Sequence, residues 1–479
     1  MKHLSIILAL LLFLSVFASC GGEQSSEPKA GGTTADPSST TEAETVNPYG
    51  DDLPENLDFE GEKVRVLIFE NGNDPSNGWC CYIDMDESNG EILNDAAVQR
   101  NMEVETRLNI EIECIDGSGV VDRVAKSVTA GEDAYDIAIP FSTEILTKLI
   151  TSNMLYDVSS LPHVDFSKPY YTKDSYETYG INGRHYLFTG AYTYPLYSTV
   201  SWLFNKDEWK NHGFEDAYAT VYDGRWTLDY ASAVMKDTYN DLNGDGKKSD
   251  DDFYGFTTVV PYMLSYIYYG CGMKGVSLES DGFKFDYGDE MTSKVMDKII
   301  ALGNHPDAKY YKSGWDNFFA GKSLMTLYGS SLPGLRQLEF DFGMLPMPKF
   351  DETQADYVSY MCGGITCVPS AIQRHELVGA AVEALFSSSG RYMVDAFIMN
   401  YAEQKVLRDD HSITMFRLIN TNVKYDFTRY ISPSKKIESN ELINKVINKG
   451  ENVLASEWAK IQESVETEFA DFYENYCAG

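Results

Sequence analysis

The most specific chemical pattern in the sequence is an acidic loop at residues 241–252, DLNGDGKKSDDD. Asp241, Asn243 and Asp245 stand at positions 1, 3 and 5 of this loop, and Gly246 stands at position 6. Calcium loops of the EF-hand type place oxygen ligands at those positions and need a glycine for the sharp turn at position 6. The pattern predicts a bound calcium ion whose ligands are Asp241, Asn243, Asp245, the Lys247 carbonyl, Ser249 and Asp252.

Two features define what kind of calcium site this would be. Asp252 stands at position 12, where glutamate is usual, and the chain has one such loop, whereas a dockerin module pairs two. The alternative is an acidic turn that is only solvated. We expect a structural ion that fixes the connection into a strand at residues 253–258, and not a calcium sensor.

Aromatic side chains form a second group with possible binding chemistry. The chain contains 33 tyrosines and six tryptophans. The apolar C–H faces of sugars pack on such rings, while hydroxyl and indole N–H groups supply hydrogen bonds. Each ring is equally compatible with a place in the core. The candidates in predicted loops are Trp79, Tyr82, Tyr194, Tyr197, Tyr266, Tyr269, Trp315 and Tyr328, with Glu70, Ser142 and Asp316 as candidate polar contacts.

Two enzyme motifs begin in the sequence and are not completed. Residues 375–379 read HELVG, so Gly379 stands where the zinc-binding pattern HExxH requires its second histidine. Residues 316–323 end in GKS like a phosphate-binding loop, but Asp316 replaces the first glycine. We therefore predict no catalytic activity. A pair of glycosidase carboxylates stays open as an alternative, because 73 acidic residues are present.

The elements that must position these residues begin with an alternating pattern. Strands are predicted at 63–69, 110–114 and 136–139, with helices at 91–108 and 121–130 between them. This order predicts a parallel sheet with crossover helices.

Ligands of such sheets bind in loops beyond the carboxyl ends of the strands. The loops at 70–82 and 141–143 follow two of the predicted strands, and we expect them to face the same crevice. A mostly helical C-terminal third is also expected. The remaining predicted elements are strands at 199–205, 255–260 and 364–369, helices at 226–237 and 291–302, and a helix end followed by a buried strand at 317–328.

The N-terminus predicts export. Residues 4–17 form an uncharged run of apolar and small residues after a weakly basic start, and this run is shorter than the roughly 20 apolar residues of a transmembrane helix. We predict a signal peptide at residues 1–19. The following stretch is rich in Gly, Ser, Thr, Glu and Pro, so residues 20–59 are predicted to form a flexible linker that cannot bury a core.

Composition limits the partners and the architecture. Lysine and arginine total 39 against 73 acidic residues, for a formal charge of -34, which argues against nucleic acid as a partner. The part after the linker, about 420 residues, is too long for one ordinary core and predicts two lobes. Seven irregularly spaced cysteines follow Cys20 and indicate buried small residues and not a metal cluster. We expect a monomer.

The run FASCG at residues 17–21 resembles the lipobox of bacterial lipoproteins, with Phe17 where leucine is usual. The resemblance implies that lipid is attached to Cys20, which becomes the new N-terminus after cleavage. It places the protein at the outer face of the bacterial cytoplasmic membrane, anchored by its acyl chains.

Four further runs are informative because of the order in which they occur: LFNKD at 203–207, GRWTLD at 224–229, FAGKSLM at 319–325 and GGI at 363–365. Together they resemble the extracellular solute-binding lipoproteins of the maltose-binding-like group, which serve ABC importers. Leu324 departs from the alanine that is usual in the third run. The resemblance implies an α/β, two-lobed periplasmic-binding-protein-like fold of type II. Each lobe would be a mixed sheet flanked by helices, and crossing hinge strands would join the lobes.

The same resemblance implies the domain boundaries and the function. Lobe one would hold residues 60–195 and 323–361, and lobe two residues 196–322 and 362–479. The protein would capture an extracellular solute and deliver it to the subunits of an ABC permease. The supply of aromatic residues favours a carbohydrate, such as an oligosaccharide. The alternatives are a surface-anchored carbohydrate-active enzyme and an adhesion protein.

Overall fold

The computed structural model describes residues 48–75, 80–85, 87–193, 199–259, 261–311, 315–329, 332–361 and 363–477. The predicted signal peptide, Cys20, Trp79, Tyr194 and Tyr197 lie outside these residues. Pro48–Gly479 form a compact unit. Among the described helices, none has the length and hydrophobicity needed to cross a membrane.

The secondary structure alternates between strands and helices until residue 345 and is mostly helical afterwards. The strands are β1 (Glu62–Ile68), β2 (Ile110–Asp116), β3 (Ile137–Ile139), β4 (Gly180–Ile181), β5 (Arg184–His185), β6 (Val200–Asn205), β7 (Tyr254–Val259), β8 (Val276–Glu279), β9 (Gly282–Phe285), β10 (Ala308–Tyr311), β11 (Ser323–Gly329), β12 (Phe342–Leu345), β13 (Ser359–Tyr360) and β14 (Val423–Lys424).

The α-helices are α1 (Ile92–Leu108), α2 (Val120–Ala130), α3 (Thr147–Thr151), α4 (Lys173–Thr178), α5 (Lys206–Asn211), α6 (Ala217–Tyr222), α7 (Leu228–Met235), α8 (Ser265–Gly270), α9 (Glu290–Gly303), α10 (Asp316–Phe319), α11 (Leu332–Leu335), α12 (His375–Ser389), α13 (Asp410–Thr421), α14 (Glu441–Lys449) and α15 (Leu454–Phe472). Short 3₁₀ and π-helical turns connect several of them, notably Gly390–Val394 and Ala396–Val406 after α12.

The first sheet has the strand order β2-β1-β3, and both pairings are parallel. Val66 at its centre pairs with Cys114 on β2 and with Ile137 on β3. Because α1 and α2 are the crossovers and both faces of a parallel sheet are covered, consecutive β1 residues such as Val66, Leu67 and Ile68 are all buried. The β-α-β-α-β prediction is confirmed.

The second sheet has the order β10-β7-β11-β6-β12 and is mixed. The strand β7 is parallel to β10 and β11, while β6 is antiparallel to β11 and β12. Trp202 on β6 stacks on Phe256 of β7 at 4.9 Å and meets Trp226 edge-on at 5.6 Å. The Trp226 indole N–H donates to the carbonyl of Pro346 at 2.9 Å, which satisfies a donor that would otherwise be buried without a partner.

The sheet pairings correct the predicted lobe boundaries. β11 and β12 pair within the second sheet, so the assignment of residues 323–361 to lobe one is wrong for these strands. Cys367 instead exchanges backbone hydrogen bonds with Ala138 on β3, and α12 packs on α1, so the start of the segment 362–479 belongs with the first sheet. The boundaries came from the resemblance of short runs, and such runs do not specify which sheet a strand joins.

The linker prediction is wrong for the residues next to the fold. Leu53 is buried, and Asp51 accepts hydrogen bonds from both terminal guanidinium nitrogens of Arg107 at 2.8 Å. The backbone carbonyl of Tyr49 accepts a hydrogen bond from Ser387 on α12 at 2.6 Å. Polar composition concealed these contacts, because a few apolar residues and ion pairs among many polar ones suffice to dock a short segment.

The described cysteines fit the prediction of small buried residues. Cys80, Cys81, Cys271, Cys367 and Cys477 are buried, and Cys114 is half-buried.

Candidate functional site

A pocket of about 390 Å³ lies at the carboxyl ends of the three parallel strands of the first sheet. It is lined by Phe69, Glu70, Phe141, Thr143, Glu144 and the Ser118–Gly119 pair, which follow β1, β3 and β2. Adjacent parallel strands all end at the same sheet edge, which is why three separate loops meet here. The predicted shared crevice of the loops after β1 and β3 is confirmed.

Two aromatic rings form one side of the pocket. The ring centroids of Phe69 and Phe141 lie 4.9 Å apart, with their planes inclined at 54°. The Phe69 N–H donates to the carbonyl of Ile139 at 3.2 Å, so the pairing of β1 with β3 continues into the pocket wall. At Gly364 a Cβ atom would lie 3.3 Å from the Phe69 ring and 2.8 Å from Ile139, and glycine therefore lets that segment pass behind the ring.

Carboxylates supply the charge of the pocket. The Glu144 carboxylate accepts a hydrogen bond from the Val121 N–H at 2.9 Å, in the first turn of α2, where the helix dipole favours a negative charge. Glu70 is exposed at the rim. No lysine, arginine or histidine is among the described residues that line the pocket. An anionic ligand would therefore meet two carboxylates without a compensating cation.

Ser142 lies in the pocket loop but faces away from the pocket. Its side chain is fully buried, and its hydroxyl oxygen accepts a hydrogen bond from Arg429 at 2.8 Å. Nearby, the Leu146 N–H donates to the carbonyl of Tyr430 at 2.7 Å. Ser142 therefore ties the loop to the C-terminal part of the chain, which holds the neighbouring Phe141 and Thr143 in place.

Asp316 is exposed in the first turn of α10, and the other described candidates lie in packing contacts. Tyr269 is buried, stacks on Tyr360 at 3.9 Å, and donates its hydroxyl to Asn440. The Trp315 indole N–H donates to Leu327 at 2.7 Å. Tyr82, Tyr266 and Tyr328 are also buried. Of the predicted ligand-binding residues, Glu70 lies in the pocket lining, and binding roles for the others stay predictions.

The loop after β3 reaches the pocket through side chains other than the predicted one. A hydroxyl residue suggested Ser142 as the contact, while its neighbours Phe141 and Thr143 line the pocket. The strand predicted at 63–69 includes Phe69 as its last residue. One aromatic residue, Phe69 or Phe141, stands at the end of each of two adjacent strands, and this pattern could have marked both as pocket residues.

Among the described residues, no three histidine, cysteine, aspartate or glutamate side chains lie together as a metal site. The loop at 241–252 is therefore not a preformed cage of carboxylates.

No protein-family model matches this sequence, and no curated protein is significantly similar to it. Solved structures do resemble it. An ABC substrate-binding protein from Listeria monocytogenes in complex with cycloalternan is 14% identical, with a TM-score of 0.55 over 86% of this chain and 99% of that one. The cyclic alpha-maltosyl-1,6-maltose binding protein from Arthrobacter globiformis is 12% identical, with a TM-score of 0.57 over 86% of this chain and 100% of that one.

A third similar structure, UgpB from Mycobacterium tuberculosis, is in complex with glycerophosphocholine. It is 15% identical, with a TM-score of 0.52 over 85% of this chain and 98% of that one. The match extends over nearly the whole of each of these proteins. The chain therefore has the predicted type II periplasmic-binding-protein-like fold, which the proteins above share while binding different solutes.

Proposed function

We propose that this protein is a solute-binding lipoprotein that captures an uncharged carbohydrate and delivers it to an ABC permease. The observation that carries the proposal is the pocket at the strand ends, where Phe69 and Phe141 stand beside Glu70 and Glu144. Similar structures that bind cyclic oligosaccharides support the same class of ligand.

The chemistry of the pocket favours an uncharged sugar over an anionic one. Phenyl rings pack on the C–H faces of a pyranose, and carboxylates accept hydrogen bonds from its hydroxyl groups. A phosphate or carboxylate on the ligand would be desolvated beside two like charges, which is costly.

The proposal is tested with the purified mature protein and a panel of neutral oligosaccharides, sugar acids, sugar phosphates and glycerophosphocholine. A neutral oligosaccharide at 100 times its dissociation constant is expected to stabilise the fold by about 2.7 kcal/mol, measured as a rise in melting temperature. The sugar acids and sugar phosphates should give no rise. A rise with anionic ligands alone would contradict the proposed ligand class, and release of product would indicate an enzyme.

The same prediction has a matched pair of variants. Phe141 is a half-buried residue of the pocket. Phe141→Ala should weaken sugar binding by about 10- to 100-fold, because the stacking surface is lost. Phe214 is also half-buried but packs on Trp209 and His212, so Phe214→Ala should leave affinity unchanged. Calorimetric titration measures both affinities. Equal affinities in the wild type and Phe141→Ala would place the ligand elsewhere.

The lipid anchor rests on the FASCG run and has its own prediction. When the full precursor is expressed in a bacterial host with a labelled fatty acid, the wild type should incorporate the label, whereas Cys20→Ser should not. The thiol of Cys20 is the only group to which the resemblance assigns the acyl chains, and several acyl chains hold a protein stably in a membrane. Mass spectrometry of the mature N-terminus measures the added acyl mass, and an unmodified Cys20 would refute the anchor.

A further inference from the structure

The acidic loop at residues 241–252 is closed at its base. Asn240 and Phe253, the residues directly outside it, exchange two backbone hydrogen bonds of 3.0 and 3.1 Å in an antiparallel bridge. The chain then continues directly into β7. Both ends of the loop are therefore fixed, and any contraction of the loop is confined to the twelve residues between them.

The first half of the loop turns around one carboxylate, that of Asp241. The Asp241 carboxylate accepts hydrogen bonds from the N–H groups of Gly244 and Gly246, both at 2.7 Å. Gly244 and Gly246 have φ values of 71° and 75°, the left-handed conformation that glycine adopts at little cost. This half wraps around the Asp241 carboxylate.

The second half separates its acidic residues into two groups. Lys309 forms an ion pair with Asp250, and Lys322 lies 3.5 Å from Asp251, so lysines neutralise positions 10 and 11. Asp252 at position 12 instead turns back into the loop, where its Oδ2 accepts a hydrogen bond from the Ser249 N–H at 2.6 Å. The calcium pattern does not use positions 10 and 11, so the lysines pair only with acidic residues that are not predicted ligands.

Asp252 provides a second, independent observation that points to a cation. Its side chain is 0% exposed, and its Oδ2 also accepts a hydrogen bond from the Tyr239 hydroxyl at 3.1 Å. Its Oδ1 is buried and has no hydrogen-bond partner. A buried carboxylate oxygen without a partner is costly, and a cation at that oxygen would satisfy it.

We propose that residues 241–252 bind one calcium ion, with the Asp252 Oδ1 as the buried anchor. Calcium takes six to eight oxygen ligands in a flexible geometry, and an amide, a hydroxyl and a backbone carbonyl serve as well as carboxylates. Asn243, Lys247 and Ser249 supply those groups at the matching positions. Because the described carboxylates are not gathered around one point, binding draws Asp241 and Asp245 toward Asp252.

The proposal predicts weak affinity and selectivity for calcium over magnesium. Aspartate at position 12 is one methylene shorter than the usual bidentate glutamate, so we expect a dissociation constant in the range of extracellular modules, about 10⁻⁴–10⁻³ M. Magnesium demands a near-ideal octahedron and gives up its water reluctantly, so the loop should discriminate against it. At 10 mM calcium the melting temperature should rise by about 1–3 °C.

The experiment measures calcium binding to the purified mature protein by calorimetry, and terbium luminescence excited through the tyrosine that contacts Asp252. Asp241→Asn and Asp245→Asn should each weaken calcium binding at least about tenfold, since ligand charge sets affinity. The matched control is Asp351→Asn, because Asp351 also caps its own turn, through the Thr353 N–H at 2.8 Å. Its calcium affinity should equal that of the wild type.

The outcomes separate the proposal from its alternatives. Stoichiometric binding that is lost in Asp241→Asn and retained in Asp351→Asn supports the site. A protein that binds no calcium at 10 mM, or whose melting temperature is the same with calcium and with chelator, overturns it. If Asp241→Asn folds poorly, Asp245→Asn decides the matter, because its side chain is exposed.

Discussion

Replacing Asp136 by alanine is expected to lower the free energy of unfolding by about 2–3 kcal/mol, because it removes a buried carboxylate that accepts charge-assisted hydrogen bonds from two half-buried arginines. Asp136 is 0% exposed and precedes β3. Its carboxylate accepts hydrogen bonds from the Arg65 Nε and from Arg374, each at 2.9 Å. It also accepts one from the Arg65 backbone N–H at 2.8 Å. A single carboxylate therefore joins β1 to the residue that precedes α12.

Equilibrium unfolding in urea measures this effect, with Glu62→Ala as the matched control. Glu62 also pairs with Arg374, but its side chain is 50% exposed, so water replaces it and the cost should stay below about 1 kcal/mol. Similar losses in the two variants would show that burial at Asp136 does not matter. The Arg374 side chain is 26% exposed in the native structure. If it can turn further into solvent, Asp136→Leu should be more stable than Asp136→Ala.

The first sheet and its crevice were predictable because their signals are local. Residues 63–69 carry β-branched and apolar side chains, Pro140 ends the last strand, and helical patterns fill the intervals. Once three parallel strands are assigned, the loops after them must meet at one edge. The positions of Glu70 and of the loop at 141–143 followed from this topology alone.

The remaining features depend on contacts between distant segments. Asp136 and Arg374 are 238 residues apart, and Ser142 and Arg429 are 287 residues apart. No periodicity marks which arginine meets which acid, or which of three consecutive loop residues faces a pocket. The same holds for the aromatic candidates: in sequence Tyr269 is indistinguishable from a binding-site tyrosine, and the structure shows that it stacks on Tyr360.

The segment 426–430 holds the pocket loop in place, and it contains a second buried acid, Asp426. Arg429 holds Ser142, and the Tyr430 carbonyl accepts from Leu146, so both contacts come from one short segment. Asp426 begins that segment and caps it, with its Oδ1 accepting a hydrogen bond from the Thr428 N–H at 2.9 Å. Its Oδ2 is buried without a hydrogen-bond partner.

Burial raises the pKa of Asp426 to about 6, although hydrogen bonds from Thr428 and the charge of Arg429 act in the opposite direction. In the unfolded chain an aspartate titrates near 3.9, so between about pH 4 and pH 6 the folded protein holds a proton that the unfolded chain has released. The native state binds more protons in this window, and stability therefore falls as the pH rises through it. The size of this contribution is about 3 kcal/mol.

Asp426→Asn is expected to remove this pH-dependent loss. The variant cannot acquire the buried charge, so its free energy of unfolding relative to wild type should rise by about 3 kcal/mol between pH 4 and pH 7. Urea unfolding at several pH values measures the difference in free energy of unfolding between the variant and the wild type. The titration of the other carboxylates cancels in this difference. A difference that is constant across this range would mean that Asp426 is already ionised at pH 4.

Asp351→Asn serves here as a control of opposite sign. Hydrogen bonds from the Thr353 side chain and backbone lower the pKa of the Asp351 carboxyl. Its contribution to stability is therefore present at neutral pH and lost as the pH falls through the lowered value. Opposite slopes in the two variants would show that Asp426 acts through its own burial and not through the large negative charge of the chain.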